Sequence, residues 1–233
     1  QAEARVVALL ADDKFLLDCF ARGDDIHTIT AQLVLGRKKI DKVDRFLGKT
    51  VRHAGGYDAG KHELMIKINS LAKSLGIKFM ISEWAAGQML DKFHATSPNI
   101  RNVFHRAIRD SLMKSRTIFN PFGRPRTFYE RWNAKLWKEA YAHIPQSTIS
   151  DHNKLGMLRV EDRLPEIQFL VESHDAFVCQ CRREDLKEIY DISTEEMEKE
   201  IDFSGCTLSA GQIRIPTECK IGDNYKDFEV YKG

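Results

Sequence analysis

An α+β protein, with a helical first half followed by a half of antiparallel strands and helices, is what the sequence predicts. Three observations carry that reading. Between Val6 and Lys114 apolar residues recur at three- and four-residue intervals, the period of helices with one buried face. Near Ser115 the pattern changes to short runs rich in β-branched and aromatic residues, bounded by Asn, Pro, Gly and Asp, which reads as strands and turns. No repeat or low-complexity segment breaks this order, so one helical lobe precedes one mixed lobe.

The 233 residues carry a net charge of +2 and are long enough to bury a substantial core. Nothing in so balanced a composition demands a polyanion, and any such site is a local patch. Cys19, Cys179, Cys181, Cys206 and Cys219 lack a C-x-x-C pair or a matching histidine spacing, which points to reduced thiols rather than zinc or disulfides. No apolar run nears the ~18 residues of a membrane span and no signal peptide leads the chain, so a cytoplasmic location with no membrane partner is expected. The first residue is Gln1 rather than Met, and a fragment of a longer protein is expected.

Val6, Val7, Leu9 and Leu10 mark the first helix; Phe15, Leu16, Cys19 and Phe20 mark a second, stopped by Arg22-Gly23. Asp24-Asp25 caps a third, holding Ile26, His27, Ile29, Leu33 and Val34. His27 falls in its first turn, where free N–H groups and the helix dipole favour an anion, although a lone histidine there also serves as a cap or surface residue.

The fourth helix is the basic one. Its charged side carries Arg45, Lys49 and His53 at four-residue steps, with Arg52 and Gly56 between them, and its apolar side carries Ile40, Val43, Leu47, Val51 and Ala54. Asp41 with Asp44 three residues on forms an acidic N-terminal cap. From Arg37 to Lys61 eight Lys or Arg face three Asp, too unbalanced for simple pairing along one helix. The pattern fits a phosphate site, and read alone it fits a solvated basic face as well. Helices from His62 to Leu75, Ile81 to Phe93 and Asn99 to Lys114 complete the first half, the last two separated at Ser97-Pro98.

Thr117-Ile118-Phe119 and Thr127-Phe128-Tyr129, joined through Asn120-Pro121 and Gly123, predict a hairpin carrying Arg124 and Arg126. Its arginines and aromatics suit a nucleic-acid strand, and ordinary hairpin packing equally. A helix from Glu130 to Ala142 is expected to break at Pro145 and resume from Gln146 to Asp162, leaving Gln146 exposed at a helix start. Phe169-Leu170-Val171 and Phe177-Val178-Cys179 predict a second hairpin turning at Ser173-His174-Asp175. An aspartate at such a turn commonly bonds its own backbone, and the adjacent histidine makes a functional turn more plausible. A helix from Glu184 to Lys199, a loop from Gly205 to Gly211 and a strand from Ile213 to Ile221 follow, ending in Gly222-Asp223-Asn224-Tyr225.

In this order the stretches resemble the C-terminal part of a family A DNA polymerase, the bacterial DNA polymerase I class. Gln1-x-Glu3-x-Arg5 is similar to the tail of that family's first polymerase motif, and Gly23-Asp24-Asp25-Ile26-His27 with Thr30-Ala31 to its helix-start signature. Arg45, Lys49 and Tyr57 match the spacing of its nucleotide-binding helix; Thr117 with Phe122-Gly123-Arg124-x-Arg126, then Gln146-x-Thr148, then His174-Asp175 resemble the segments that lead back to its metal-bearing turn. The closing strand looks like the family's end. The resemblance implies helical fingers and the C-terminal part of an antiparallel-sheet palm, with residues 1–12 in the palm, 13–117 in the fingers and 118–233 in the C-terminal palm.

It also implies chemistry. Nucleotidyl transfer uses two divalent cations, Mg²⁺ here, roughly 4 Å apart, one at the primer 3′-hydroxyl and one at the triphosphate. Asp175 is then a metal ligand and catalytic residue, and Lys49 a catalytic proton donor to pyrophosphate. Gln1, Glu3, His27, Arg45, Lys49, His53 and Tyr57 would bind the dNTP. Arg45, Lys49 and His27 serve as cations toward phosphate, and Glu3 excludes a 2′-hydroxyl. Arg124, Arg126, Gln146 and His174 would bind the DNA primer-template.

Four departures stand beside these matches. A catalytic aspartate should precede Gln1 by three residues, so an N-terminal polymerase portion, in cis or in trans, is expected to be needed, and the fragment alone to be inactive. Ala176 stands where Glu follows the His-Asp pair. His53 stands in place of an aromatic Phe or Tyr, and Asp58 in place of a Gly, which puts a negative charge near the template side. A divergent, phage-type polymerase is the leading expectation; the alternative is a catalytically degenerate polymerase-like protein that binds nucleic acid or a partner.

Overall fold

The computed structural model describes residues 1–173 and 175–233. Helices α1 (Ala2–Leu10), α2 (Lys14–Ala21), α3 (Ile26–Leu35), α4 (Lys42–Gly56), α5 (Lys61–Ser74) and α6 (Glu83–Thr96) follow one another directly. A π-wound turn, Ile100–His105, runs into α7 (Arg106–Lys114). The mixed half holds β1 (Thr117–Phe119), β2 (Pro125–Thr127), α8 (Ala134–Arg163), β3 (Gln168–Ser173), β4 (Ala176–Gln180), α9 (Leu186–Met197) and β5 to β8 (Ile201–Asp202, Gln212–Ile213, Cys219–Ile221, Glu229–Tyr231). The strands pair consecutively as antiparallel two-stranded ribbons, which confirms the α+β class.

The caps predicted at Asp25 and Asp41 form, and two more appear at Asp13 and Ser82. Asp13, Asp25 and Ser82 each accept a backbone N–H at the start of α2, α3 and α6, and Asp41 with Asp44 makes a complete capping box on α4. One apolar cluster joins both halves: Val6, Leu16, Ile26, Leu47 and Val51 from the helical lobe meet Ile118, Tyr141, Ile144 and Phe203 from the mixed lobe. Helix α1 sits between them, packed on α2, α8 and the π turn. No helix among the described residues is long and apolar enough to cross a membrane.

Three expectations are corrected. Helix α8 does not break at Pro145: burial of Ile144, Pro145 and Ile149 holds both sides in one helix despite the missing donor, so Gln146 is exposed in its middle, not at a start. The return strand of the first hairpin is Pro125–Thr127, not 127–129, because Asn120 collects the turn: its Oδ1 accepts from Phe122 and Arg124 N–H at 3.0 and 2.9 Å, advancing the register. The strand expected from Ile213 to Ile221 is two pieces interrupted around Pro216, and Glu229–Tyr231 supplies the partner of the second.

Helices α3 and α4 pack most closely. A Cβ at Gly48 would overlap the His27 carbonyl oxygen and come within 2.7 Å of the Ala31 nitrogen, both fixed backbone atoms. Gly48→Ala is therefore expected to push the helices apart and cost roughly 1–3 kcal/mol, against the usual gain from alanine in a helix; urea unfolding measures it, and an unchanged midpoint would contradict this packing.

Candidate functional site

One side of α4 carries Arg45, Lys49 and His53, all exposed, as the four-residue spacing requires. Arg52 does not join them. It is buried, donating from Nε to Thr30 Oγ1 at 2.7 Å with its guanidinium 5.1 Å from the Phe93 ring centre, and burial pushes it down to about 10. Other cations in the basic stretch are paired: Arg37 with Asp44, Lys61 with Glu83 at 3.3 Å, and Arg45 with Asp25. The imbalance along α4 is thus answered partly by acids from elsewhere.

Arg45 grips Asp25 with two bonds, Nε to Oδ2 at 2.5 Å and Nη2 to Oδ1 at 3.1 Å. Asp25 also caps α3 and accepts from Thr28 Oγ1 at 2.6 Å. Burial would raise this carboxyl, but the bonds from Arg45 and then Thr28 hold it at about 2. Gln1 reaches the same carboxylate from Nε2 at 3.4 Å, bringing the start of α1 to that of α3. His27 is buried beside this junction, and burial pushes it down to about 4; it is a neutral imidazole at neutral pH and not the cation expected.

Tyr57 follows α4 and is buried, donating from Oη to Glu3 Oε2 at 2.6 Å, with burial and the Glu3 charge raising its hydroxyl. Its ring meets His53 edge-on, 5.1 Å between centres. His53 Nδ1 lies 3.5 Å from Lys67 Nζ, and local crowding, then Lys67, lowers its imidazole. Facing a lysine, Nδ1 is an acceptor, which leaves the proton on Nε2. His53, Tyr57, Lys67, Glu63 and Lys138 line a cleft of about 110 Å³ between α4, α5 and α8. Lys67 was invisible to motif reading; its place on α5 opposite His53 comes only from the fold.

Asp175 lies at the turn from β3 to β4 and is exposed. The hairpin rests on α8, with Asn153 Nδ2 donating to the Ala176 carbonyl at 3.5 Å and Lys154 3.8 Å from Glu172. The start of α1 is tied to α3 through Gln1 and Asp25 and to the end of α4 through Glu3 and Tyr57. His174 lies outside the described residues. Groups of three or more His, Cys, Asp or Glu able to cage a metal are absent among the described residues. An exposed carboxylate at a hairpin turn nevertheless suits a hard cation such as Mg²⁺, which takes one or two protein carboxylates and fills its shell with phosphate and water oxygens.

Arg124 and Arg126 are both engaged within the chain. Arg124 pairs with Asp151 through Nε at 2.8 and 3.0 Å and Nη2 at 2.5 Å, while Asn120 Nδ2 donates to the same carboxylate at 2.8 Å. Arg126 meets Glu139 at 2.5 Å. Asp151 escaped sequence reading, although His143, Ser147 and Asp151 recur at four-residue steps along α8 and mark a polar face. Beyond Tyr57, Asp58 has a left-handed backbone with φ of 58°, and its carboxylate accepts from Arg101, with Arg109 3.8 Å away. Its charge is therefore compensated within the chain. His94 and His105 are buried near this group.

The family model for DNA polymerase family A matches residues 1–227. DNA polymerase I of Helicobacter pylori is 26% identical over 199 residues, 81% of this chain and 21% of that protein. The thermostable DNA polymerase I of Thermus caldophilus is 25% identical over 233 residues, 95% of this chain and 25% of the relative. A solved structure of the POL domain of Pol1 from M. smegmatis, in complex with DNA primer-template and dNTP, has the same fold: TM-score 0.72 at 20% identity, covering 85% of this chain and 35% of that one. The chain spans about a fifth to a quarter of the length of these curated relatives.

Burial pushes His94 and His105 down to about 4. In the unfolded chain they take up a proton near pH 6.5, so the unfolded state binds more protons between about 6.5 and 4, and stability falls as the pH drops through that window. Asp25, held at about 2, loses its contribution only below its ordinary value of 3.8. Urea midpoints are expected to fall from pH 7 to pH 4.5, with a shallower fall in His105→Gln.

Proposed function

The chain belongs to DNA polymerase family A, and on that premise we propose that it forms the fingers and C-terminal palm of a template-directed DNA polymerase adding dNMP to a primer 3′-hydroxyl. Residues 1–12 are palm, 13–117 fingers and 118–233 C-terminal palm. The remaining thumb, palm and second metal carboxylate come from the polypeptide matching the rest of the relatives' length, in cis or in trans. One observation carries the reading: Arg45, Lys49 and His53 stand exposed in one row on α4, Tyr57 at its end is tied to Glu3 of α1, and Asp175 is exposed on the β3–β4 turn. A phosphate cation and a metal carboxylate must face one another across a bound nucleotide.

Arg45 and Lys49 bind the triphosphate and oppose charge that grows on the leaving pyrophosphate, with Lys49 also its proton donor. His27, neutral, contributes a hydrogen bond rather than a charge. Glu3, held against Tyr57, closes the space a 2′-hydroxyl needs, and Gln1 stands beside it. Tyr57 and His53 give the sugar and templating base a wall; His53 adds an Nε2 donor where an aromatic carbon edge is the family pattern. Arg124, Arg126, Gln146 and His174 contact the primer-template, the two arginines exchanging Asp151 and Glu139 for phosphate. Asp175 holds Mg²⁺, which would lower the barrier by activating the 3′-hydroxyl and neutralising phosphate charge.

Reconstitution with the N-terminal polymerase portion, assayed by primer extension with Mg²⁺, tests this. Asp175→Ala is expected to lower extension by at least about a hundredfold and Lys49→Ala by a comparable factor, with DNA binding retained. DNA binding without extension in the parent protein would instead support the degenerate, non-catalytic reading.

A further inference from the structure

We propose that Asp58, Arg101 and His105 are positioning residues that lock Tyr57 onto the nucleotide face, an inference that rests on the polymerase reading. Tyr57 is the first residue past α4, where helical hydrogen bonds end and the backbone would otherwise fray. Both of its neighbours are held. On one side the Gly56 carbonyl accepts from His105 Nε2 at 2.8 Å, which fixes the histidine proton on Nε2. On the other, Asp58 Oδ1 accepts from Arg101 Nε at 3.0 Å and Nη2 at 2.7 Å, with Arg109 Nη2 3.8 Å from Oδ2.

The φ of 58° at Asp58 is left-handed backbone, so the carboxylate occupies a place where glycine would be easier. A side chain kept there at that expense, and met by two arginines, does more than turn the chain. Arg101 and His105 come from one π-wound turn, a rare winding that recurs at functional sites. That turn is anchored in the second lobe: the His105 ring stacks on Tyr141 of α8, 3.9 Å between centres and 16° between planes, and Arg109 bonds the Tyr141 hydroxyl. Tyr141 is fully buried. The hold on Tyr57 thus runs from its two flanking residues through the π turn to α8, while Glu3 fixes its hydroxyl.

Asp58→Gly separates the clamp from the backbone, because glycine adopts the left-handed conformation freely. In the reconstituted polymerase the KM for dNTP is expected to rise about tenfold, with kcat within about twofold and the melting temperature unchanged or higher. Arg101→Ala should give the same rise, and the double variant no more than either alone. An unchanged KM in Asp58→Gly, or additive effects in the double variant, overturns the clamp. A lowered melting temperature with unaltered KM also overturns it, leaving a purely structural ion pair. Absence of extension by the unsubstituted protein refutes the polymerase reading itself, and the clamp with it.

Discussion

Helix α4 can turn Arg45, Lys49 and His53 outward in one row because its other side is pressed onto α3 with no side chain at Gly48. Glycine inside a helix costs about 1 kcal/mol relative to alanine, and here that cost goes into an approach no other residue permits. The approach sets the rest. It places Asp25 at the cap of α3 opposite Arg45, seats His27 in the junction, and leads α4 toward the Tyr57 and Glu3 contact with α1. A wider separation of the two helices would dissolve all three at once.

Charge in this protein is arranged as acids borrowed from distant elements. Asp25 answers Arg45, Asp151 answers Arg124, Glu139 answers Arg126 and Glu63 answers Lys138. Most of these arginines and lysines are substantially exposed, and such pairs contribute little to stability. Their effect is geometric: each cation is held in a defined direction before any anion arrives. Lys49 differs, exposed on α4 between Arg45 and His53.

Most of the helical architecture was legible because it rests on local rules. Caps at Asp25 and Asp41, the period of α4 and the stop at Arg22-Gly23 need only neighbours in sequence, and they formed. The misreadings arose where distant packing overruled local preference. Pro145 reads as a break but is carried through by its buried surroundings, and Arg52 reads as part of a basic face but is drawn inward by Thr30 and Phe93. The candidate site was legible as a spacing on α4 that names Lys49 and as a family resemblance at the β3–β4 turn that names Asp175. Lys67 and Arg101, which flank it, follow no motif, and the bond from Arg45 to the motif residue Asp25 exists only after folding.

The bidentate bond between Asp25 and Arg45 has one more consequence. Asp25 is a tethered competitor, present at an effective concentration in the millimolar range or above for any such intramolecular partner. A monovalent anion from solution gains little by replacing it. An anion of several charges, reaching Lys49 as well, can afford the exchange and sets Asp25 free on its cap. Displacing Arg45 leaves Asp25 bonded to Thr28 and to the His27 N–H, so the cap of α3 outlasts the exchange.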